Sequence, residues 1–231
     1  MGFELRDEAL LETLTLDVLK SAEIEGELLN PEQVRSSIAQ RLGMDFAGVI
    51  TSDRNADGMV EIIIDATRNC FKPLTADRLF DWHAALFPMG RSGIFKISVA
   101  DWRKDTSGQM QFVSGAAGRE KVHFQAPDAD LIEIEMIRFL TWFNEENKID
   151  LVIKAAIAHF WFVTIHPFQD GNGRITRALT DMLLAQSDKS TQRFYSMSAQ
   201  IRVERKEYYE KLEKTQKGDL TADNHISRHY L

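Results

Sequence analysis

Residues 166–177 read HPFQDGNGRITR, and this stretch decides the fold. Immediately before it, residues 150–165 (DLVIKAAIAHFWFVTI) are almost wholly apolar, which predicts a buried helix. Immediately after it, TRALTDMLLAQ resumes a helical pattern. Pro167, Gly171 and Gly173 fall between the two. The proline ends the first helix, and the glycines admit backbone conformations that bulkier residues avoid. The expected geometry is helix, tight loop, helix.

A loop of this kind points several backbone N–H groups at one place and adds the positive end of the second helix dipole, so it suits an anion. Arg174 and Arg177 are three residues apart on the first turn of that helix. They share a face, where forked guanidinium groups can clamp phosphate oxygens, and the expected ligand is a polyphosphate. Asp170 would repel phosphates unless a Mg²⁺ ion lay between carboxylate and phosphate oxygens. His166, at the mouth of the loop, can take a proton near neutral pH. Asn172, between the glycines, tolerates a left-handed conformation and can donate to a phosphate. Taken singly, a histidine after an apolar helix reads as structural and GNG as a turn; together, in this context, they read as a phosphate site.

The stretch matches the Fic motif, HxFx(D/E)GNGRxxR, at every specified position, and the chain resembles the Fic (Fic/DOC) family, most of whose members transfer AMP from ATP to a protein hydroxyl. The resemblance implies a mainly α fold, a helical bundle with a small β-hairpin flap, with ATP as co-substrate and Mg²⁺ as its metal. It makes His166 the general base and Asp170 the metal ligand. Gly171, Asn172, Gly173 and Arg174 would cradle the phosphates, Arg177 would engage the γ-phosphate, and Phe168 would anchor the loop in the core.

At 231 residues, the chain has room for one large domain or two small ones. Its 44% hydrophobic and 27% charged content is that of an ordinary soluble globular protein. No apolar run reaches membrane-spanning length, and the acidic, amphipathic opening MGFELRDEALLE carries no visible secretory signal. A net charge of -7 argues against a general nucleic-acid binder. The single cysteine, Cys70, excludes an intrachain disulfide and a cysteine zinc cluster, and a cytoplasmic setting fits.

Along the chain, residues 6–29 carry apolar positions at helical spacing, among them Leu10, Leu14 and Ile24. Within them, residues 21–26 read SAEIEG. By residue chemistry alone Glu25 is a surface carboxylate and Gly26 a helix C-cap. The segment also resembles the family's inhibitory pattern (S/T)xxxE(G/N), placed before the Fic core. That implies an ion pair from Glu25 to Arg177 in the place of the γ-phosphate, with Ser21 and Gly26 completing the pattern. Asn30-Pro31 starts a helix to about Leu42, residues 56–70 form another, and Thr75 caps a third that Pro88 ends. His83, in that third helix, reads as a core or edge residue.

Residues 88–108 lack sustained periodicity, with a short strand expected at GIFKISV. MQFVSG and EKVHF then flank a glycine-containing turn, a hairpin signal. In Fic proteins a hairpin here is the flap, and the resemblance implies that Val122, His123 and Phe124 help dock a target segment as an added strand. Residues 128–144 predict a helix capped by Asp128 that buries Leu131, Ile134, Ile137, Phe139, Leu140 and Phe143. Residues 197–217 predict a single charged amphipathic helix, with Tyr208 and Tyr209 near the adenine site by family analogy and packing as their default role. The tail holds His225 and His229 at i, i+4 spacing and reads as frayed rather than as a metal site.

The organisation expected is an N-terminal helical segment (1–55) carrying the inhibitory motif, a Fic core (56–217) with flap (about 109–125) and catalytic loop (166–177), and a tail (218–231). The function implied is a protein adenylyltransferase held inactive by Glu25, with a target protein on the flap and self-modification when no target is present. No nucleic acid or membrane is expected as a partner, and homodimer formation is left open. A de-AMPylating hydrolase that uses Glu25 to orient water, a Doc-like phosphotransferase, and a nucleotide-binding regulatory module are the rival readings.

Overall fold

A computed structural model describes residues 3–44, 53–104, 110–114, 121–146 and 148–216; side chains of 3–4, 112–114 and 121–123 fall outside that description. The segment 218–231, with His225 and His229, lies outside the described residues. The order of elements is α1 (Phe3–Ile24), α2 (Pro31–Leu42), α3 (Arg54–Arg68), α4 (Ala76–Leu86), β1 (Arg91–Ser92), β2 (Phe95–Lys96), β3 (Gln111–Ser114), β4 (Lys121–Gln125), α5 (Ala129–Asn144), α6 (Leu151–Ile165), α7 (Asn172–Asp188), α8 (Met197–Val203) and α9 (Arg205–Thr215). The fold is mainly α, a helical bundle with two small antiparallel hairpins, β1–β2 and β3–β4.

The bundle is built around the α6–α7 pair. α6 buries Ala155, Ala158, Phe162 and Ile165, and α7 answers with Ile175, Ala178, Leu179, Met182 and Leu183. Small residues on both faces let the backbones approach, and α3, α4 and α1 close over the same core. At the α3–α4 crossing Gly58 is the closest point: a Cβ there would stand 1.9 Å from the carbonyl oxygen of Ala85. α1 contributes Leu10, Leu11, Leu14 and Val18 to that core, and Asp17 ties it to α8 by accepting from the Ser196 hydroxyl and the Ser198 N–H.

Several ends follow the caps written in the sequence. Asn30 accepts from the N–H groups of Glu32 and Gln33 at the start of α2, and Thr75 does so from Arg78 at the start of α4. α1 ends in a Schellman turn: the Gly26 N–H donates to Glu23 O and the Glu27 N–H to Ala22 O. Gly26 holds φ +82, a conformation costly for other residues.

Three expectations are corrected. α5 buries Phe139 and Phe143 as expected, but with Ile132 and Met136, while Leu131, Ile134 and Ile137 stay 48%, 48% and 59% exposed. Asp128 sits at the N-cap position but its side chain makes no capping bond. Residues 197–217 do not form one helix: the chain bends at Glu204, and α9 is drawn against α6 where Tyr208 and Gln216 bond to His159 and Thr164.

Candidate active site

His166 closes α6 as its C-cap, at φ 52 and ψ 59. Arg103, 2% exposed, holds this corner: its Nε donates to His166 O at 2.8 Å, its backbone N–H to Pro167 O at 2.8 Å, and Nη2 to Pro127 O. The imidazole Nδ1 lies 3.3 Å from the Val163 carbonyl. A carbonyl only accepts, so Nδ1 carries the proton and Nε2 the lone pair. Desolvation pushes the ring from its ordinary 6.5 down to about 4, which keeps it neutral, the form a base requires.

The loop is shaped from beneath. Phe168 is fully buried among Phe80, Trp102 and Phe162, and stacks on His83 at 4.2 Å with the rings 9° apart. His83 is a core residue, as expected, and also a strut. Its Nδ1 accepts from the Ala100 N–H, so Nε2 donates to the Asp170 carbonyl, each at 3.2 Å. Burial depresses it to about 4 and holds it neutral.

Asn172 is held inside the loop as the first residue of α7. It is 1% exposed; its Oδ1 accepts from the Phe168 N–H at 3.0 Å and its Nδ2 donates to Phe168 O at 2.8 Å. Its amide pins the loop to the Phe168 backbone. The left-handed conformation belongs to Gly171, φ +81, where a Cβ would crowd Phe87 at 2.9 Å.

α7 then opens with no acidic residue in its first turn and no side chain capping it, so its N-terminal N–H groups and positive dipole end face outward for an anion. Arg174 and Arg177 rise from that turn, 4% and 2% exposed. Arg177 donates from Nε to Ser21 Oγ at 2.8 Å, and from Nη2 to Ser21 O and Glu25 Oε1, each at 2.9 Å. The Glu25 carboxylate also lies against Gly173, where a Cβ would stand 2.3 Å from Oε1. Arg174 packs over the Phe87 ring and gives Nη1 to both oxygens of Glu27, at 2.9 and 3.0 Å.

Asp170 is 41% exposed at its side chain. Its Oδ1 accepts the Gly171 N–H at 2.6 Å, and its Oδ2 takes the Ser92 hydroxyl of β1. These are hard oxygen donors of the kind Mg²⁺ takes, and among the described residues no three or more His, Cys, Asp or Glu side chains gather into an all-protein cage. The set fits an ion completed by phosphate oxygens and water.

Beside the loop is a cavity of about 430 Å³ lined by Glu25, Phe124, Val163, His166, Gly173 and Arg177 and, on its far wall, α9 residues including Tyr208 and Tyr209. Tyr208 turns its hydroxyl away to His159 Nε2 at 2.9 Å, while His159 Nδ1 meets Thr180 Oγ1 at 2.8 Å. Phe124 of β4 is 7% exposed and lines this cavity. The side chains of Val122 and His123 lie outside the described residues.

The structure thus brings together His166, Asp170, Gly171, Gly173, Arg174 and Arg177 with Ser21 and Glu25. Sequence reasoning missed Arg103, Ser92 and Glu27. The first two lie in the aperiodic stretch after α4, which offers no signal; Glu27 follows the SAEIEG pattern directly.

With this geometry in view, comparison with known proteins is specific. Residues 73–184 match the profile of the Fic/DOC family, and residues 1–44 match a domain of unknown function, DUF4172. The 73–184 segment, just under half of the chain, is the part similar to the Fic/DOC family. It is 37% identical over 91 residues to the protein adenylyltransferase Fic of Drosophila mojavensis and 38% identical over 81 residues to protein adenylyltransferase fic-1 of Caenorhabditis elegans. Those matches cover 38% and 34% of this chain but 17% and 15% of the relatives' length. The fold is similar to the crystal structure of a Fic family protein from Desulfovibrio desulfuricans, with TM-score 0.62 and 24% identity over 93% of this chain and 59% of that one.

Proposed function

We propose that this protein is an adenylyltransferase that moves AMP from ATP to a Ser, Thr or Tyr hydroxyl of a target protein, and that Glu25 holds it inactive. The observation that carries the reading is the convergence of a neutral, correctly tautomerised His166, Gly173 in the first turn of α7 and the buried Arg177 guanidinium at one cavity rim, with the buried Arg174 on the same helical turn. The names of the relatives sharing this segment support it.

In the reaction, the phosphates lie along the loop from Asp170 to Arg174 and on Arg177, with the nucleoside in the cavity. Val163 fixes the His166 tautomer, so Nε2 takes the proton as the target oxygen attacks the α-phosphorus. The new bond is from oxygen to phosphorus; the bond broken joins the α-phosphorus to the bridging oxygen, and pyrophosphate leaves. Arg174 holds the phosphates in substrate and transition state alike, Arg177 and the N–H groups of α7 meet the charge that develops, and fixed geometry supplies most of the acceleration. Asp170 with Ser92 would hold a Mg²⁺ ion, which when bound supplies charge neutralisation between carboxylate and phosphates. β4 presents the target as an added strand next to His166, and a segment of the same chain can serve when no target is present.

Glu25 occupies Arg177 and covers Gly173, so ATP cannot settle its γ-phosphate there. Incubation with labelled ATP and Mg²⁺ tests the reading. The Glu25→Gly protein labels itself or an added substrate well above wild type, and adding His166→Ala lowers transfer by about 10²–10⁴-fold, the usual contribution of a positioned base. A Glu25→Gly protein that stays unlabelled but has lost the ability to strip AMP from a modified protein would establish the hydrolase instead. Nucleotide binding without transfer or turnover would establish a regulatory module.

A further inference from the structure

Glu25 accounts for one of the two buried arginines. The other is held as firmly, by a residue outside the inhibitory pattern. Glu27 accepts Nη1 of Arg174 with both carboxylate oxygens, at 2.9 and 3.0 Å. The arginine is 4% exposed and the glutamate 40%, so the charge that loses most water is the one on the phosphate loop. Arg174 is otherwise poorly satisfied: Asp170 Oδ1 is 3.8 Å from Nη2, and its buried Nε has no hydrogen-bond partner among the described residues. A guanidinium so placed demands an anion.

The Schellman turn delivers both carboxylates. Glu25 is the cap residue, Gly26 turns the chain at φ +82, and Glu27 follows with its N–H returned to Ala22 O. Reversal of the backbone at Gly26 sends successive odd side chains to neighbouring arginines: Glu25 to Arg177 at 2.9 Å and Glu27 to Arg174 at 2.9 Å. Two carboxylates thereby stand where two phosphate groups of a nucleotide would otherwise find their cations.

Resting on the adenylyltransferase reading, we propose that Glu27 is a second gate, separable from Glu25, that sets the affinity of the site for any nucleoside di- or triphosphate by competing for Arg174. Glu25 governs whether the terminal phosphate of ATP reaches Arg177, and so whether transfer proceeds. Glu27 governs how tightly the part of the nucleotide common to ATP and ADP is held. An interaction common to substrate and transition state changes KM and leaves kcat nearly alone.

The test measures ADP binding by titration calorimetry, with Mg²⁺ present, in the full chain. Glu27→Gln keeps the shape of the side chain and the backbone turn while removing its charge. It tightens ADP binding by about three- to tenfold, as expected for a partly exposed ion pair lost at one end. In a Glu25→Gly background the same change lowers KM for ATP by a similar factor and shifts kcat by less than about twofold. Equal ADP affinity with and without Glu27→Gln, in chains that do bind ADP, overturns the second gate while leaving the adenylyltransferase reading standing. A kcat change equal to the KM change overturns it too. Failure of the doubly substituted chain to bind ADP or ATP at all overturns both.

Discussion

Asn172 shows how one side chain can decide a loop. Both polar atoms of its amide are satisfied by the backbone of Phe168, so Asn172→Ala strands a buried N–H and a buried C=O together. The expected cost is on the order of 2 kcal/mol or more, read as a lower thermal midpoint, and the loss of loop geometry weakens nucleotide binding in the same protein. A variant with wild-type stability and affinity would mean that the loop is held by Phe168 and His83 alone. The residues proposed to do the chemistry were legible because they are contiguous: His166, Asp170, Arg174 and Arg177 lie in one short run of chain. The residues that hold them were not. Ser92 reaches Asp170 across 78 positions, Arg103 reaches His166 across 63, and Glu27 reaches Arg174 across 147. Local spacing carries no trace of such partners. The bond pair from Asn172 to Phe168 was not legible for a related reason, since it depends on where the loop places the Phe168 backbone.

At the scale of helices, close approach matters more than propensity. Gly58 lies inside α3, where it weakens the helix in isolation, yet it is the point at which α4 can touch. Gly58→Ala drives a Cβ into the Ala85 carbonyl, which is backbone and cannot rotate away. The expected loss is about 3 kcal/mol, at the upper end of overpacking costs, seen as a shifted denaturant midpoint. An unchanged midpoint would show that α3 and α4 do not meet there. Boundaries at α2 and α4 were legible because Asn30, Pro31 and Thr75 are caps with a local mechanism. The buried stripe of α5 was not, because LIEIEMIRFL offers apolar residues on several faces and neighbouring helices choose among them. Nor was the bend at Glu204, which has no proline or glycine beside it and comes from the tether of Tyr208 to His159.

Over the whole molecule, three buried or half-buried histidines are held neutral by desolvation: His83 and His166 near 4, and His159 near 3, each against an ordinary 6.5. The unfolded chain protonates them as pH falls through 6.5, while the folded chain resists until near 4. Their contribution is therefore complete above 6.5 and drains between 6.5 and about 4. Asp181 works in the opposite sense: burial beside Asp17 raises its carboxyl well above the usual range, so its share is lost as pH rises. With three groups against one, the thermal midpoint falls steadily from pH 7 to about 4.5; a midpoint flat across that window contradicts the burial of these rings as neutral species. The bundle and the family were legible in outline, but the common core joining α1 to the α6–α7 pair was not, because it is a property of packing. On the proposed reading, in which Glu25 blocks the site, that shared core limits how the blocking segment can leave. α1 is welded into the molecule along Leu10, Leu11, Leu14 and Val18 and bolted to α8 through Asp17, whereas its last turn is held to the arginines by Ser21, Glu25 and Glu27. Wholesale ejection would open the interior to water; unpicking the final turn would not. Under the proposed inhibition the helix is a fixed hinge leaf with a short tongue at its tip, and an activating signal would have only to lift the tongue.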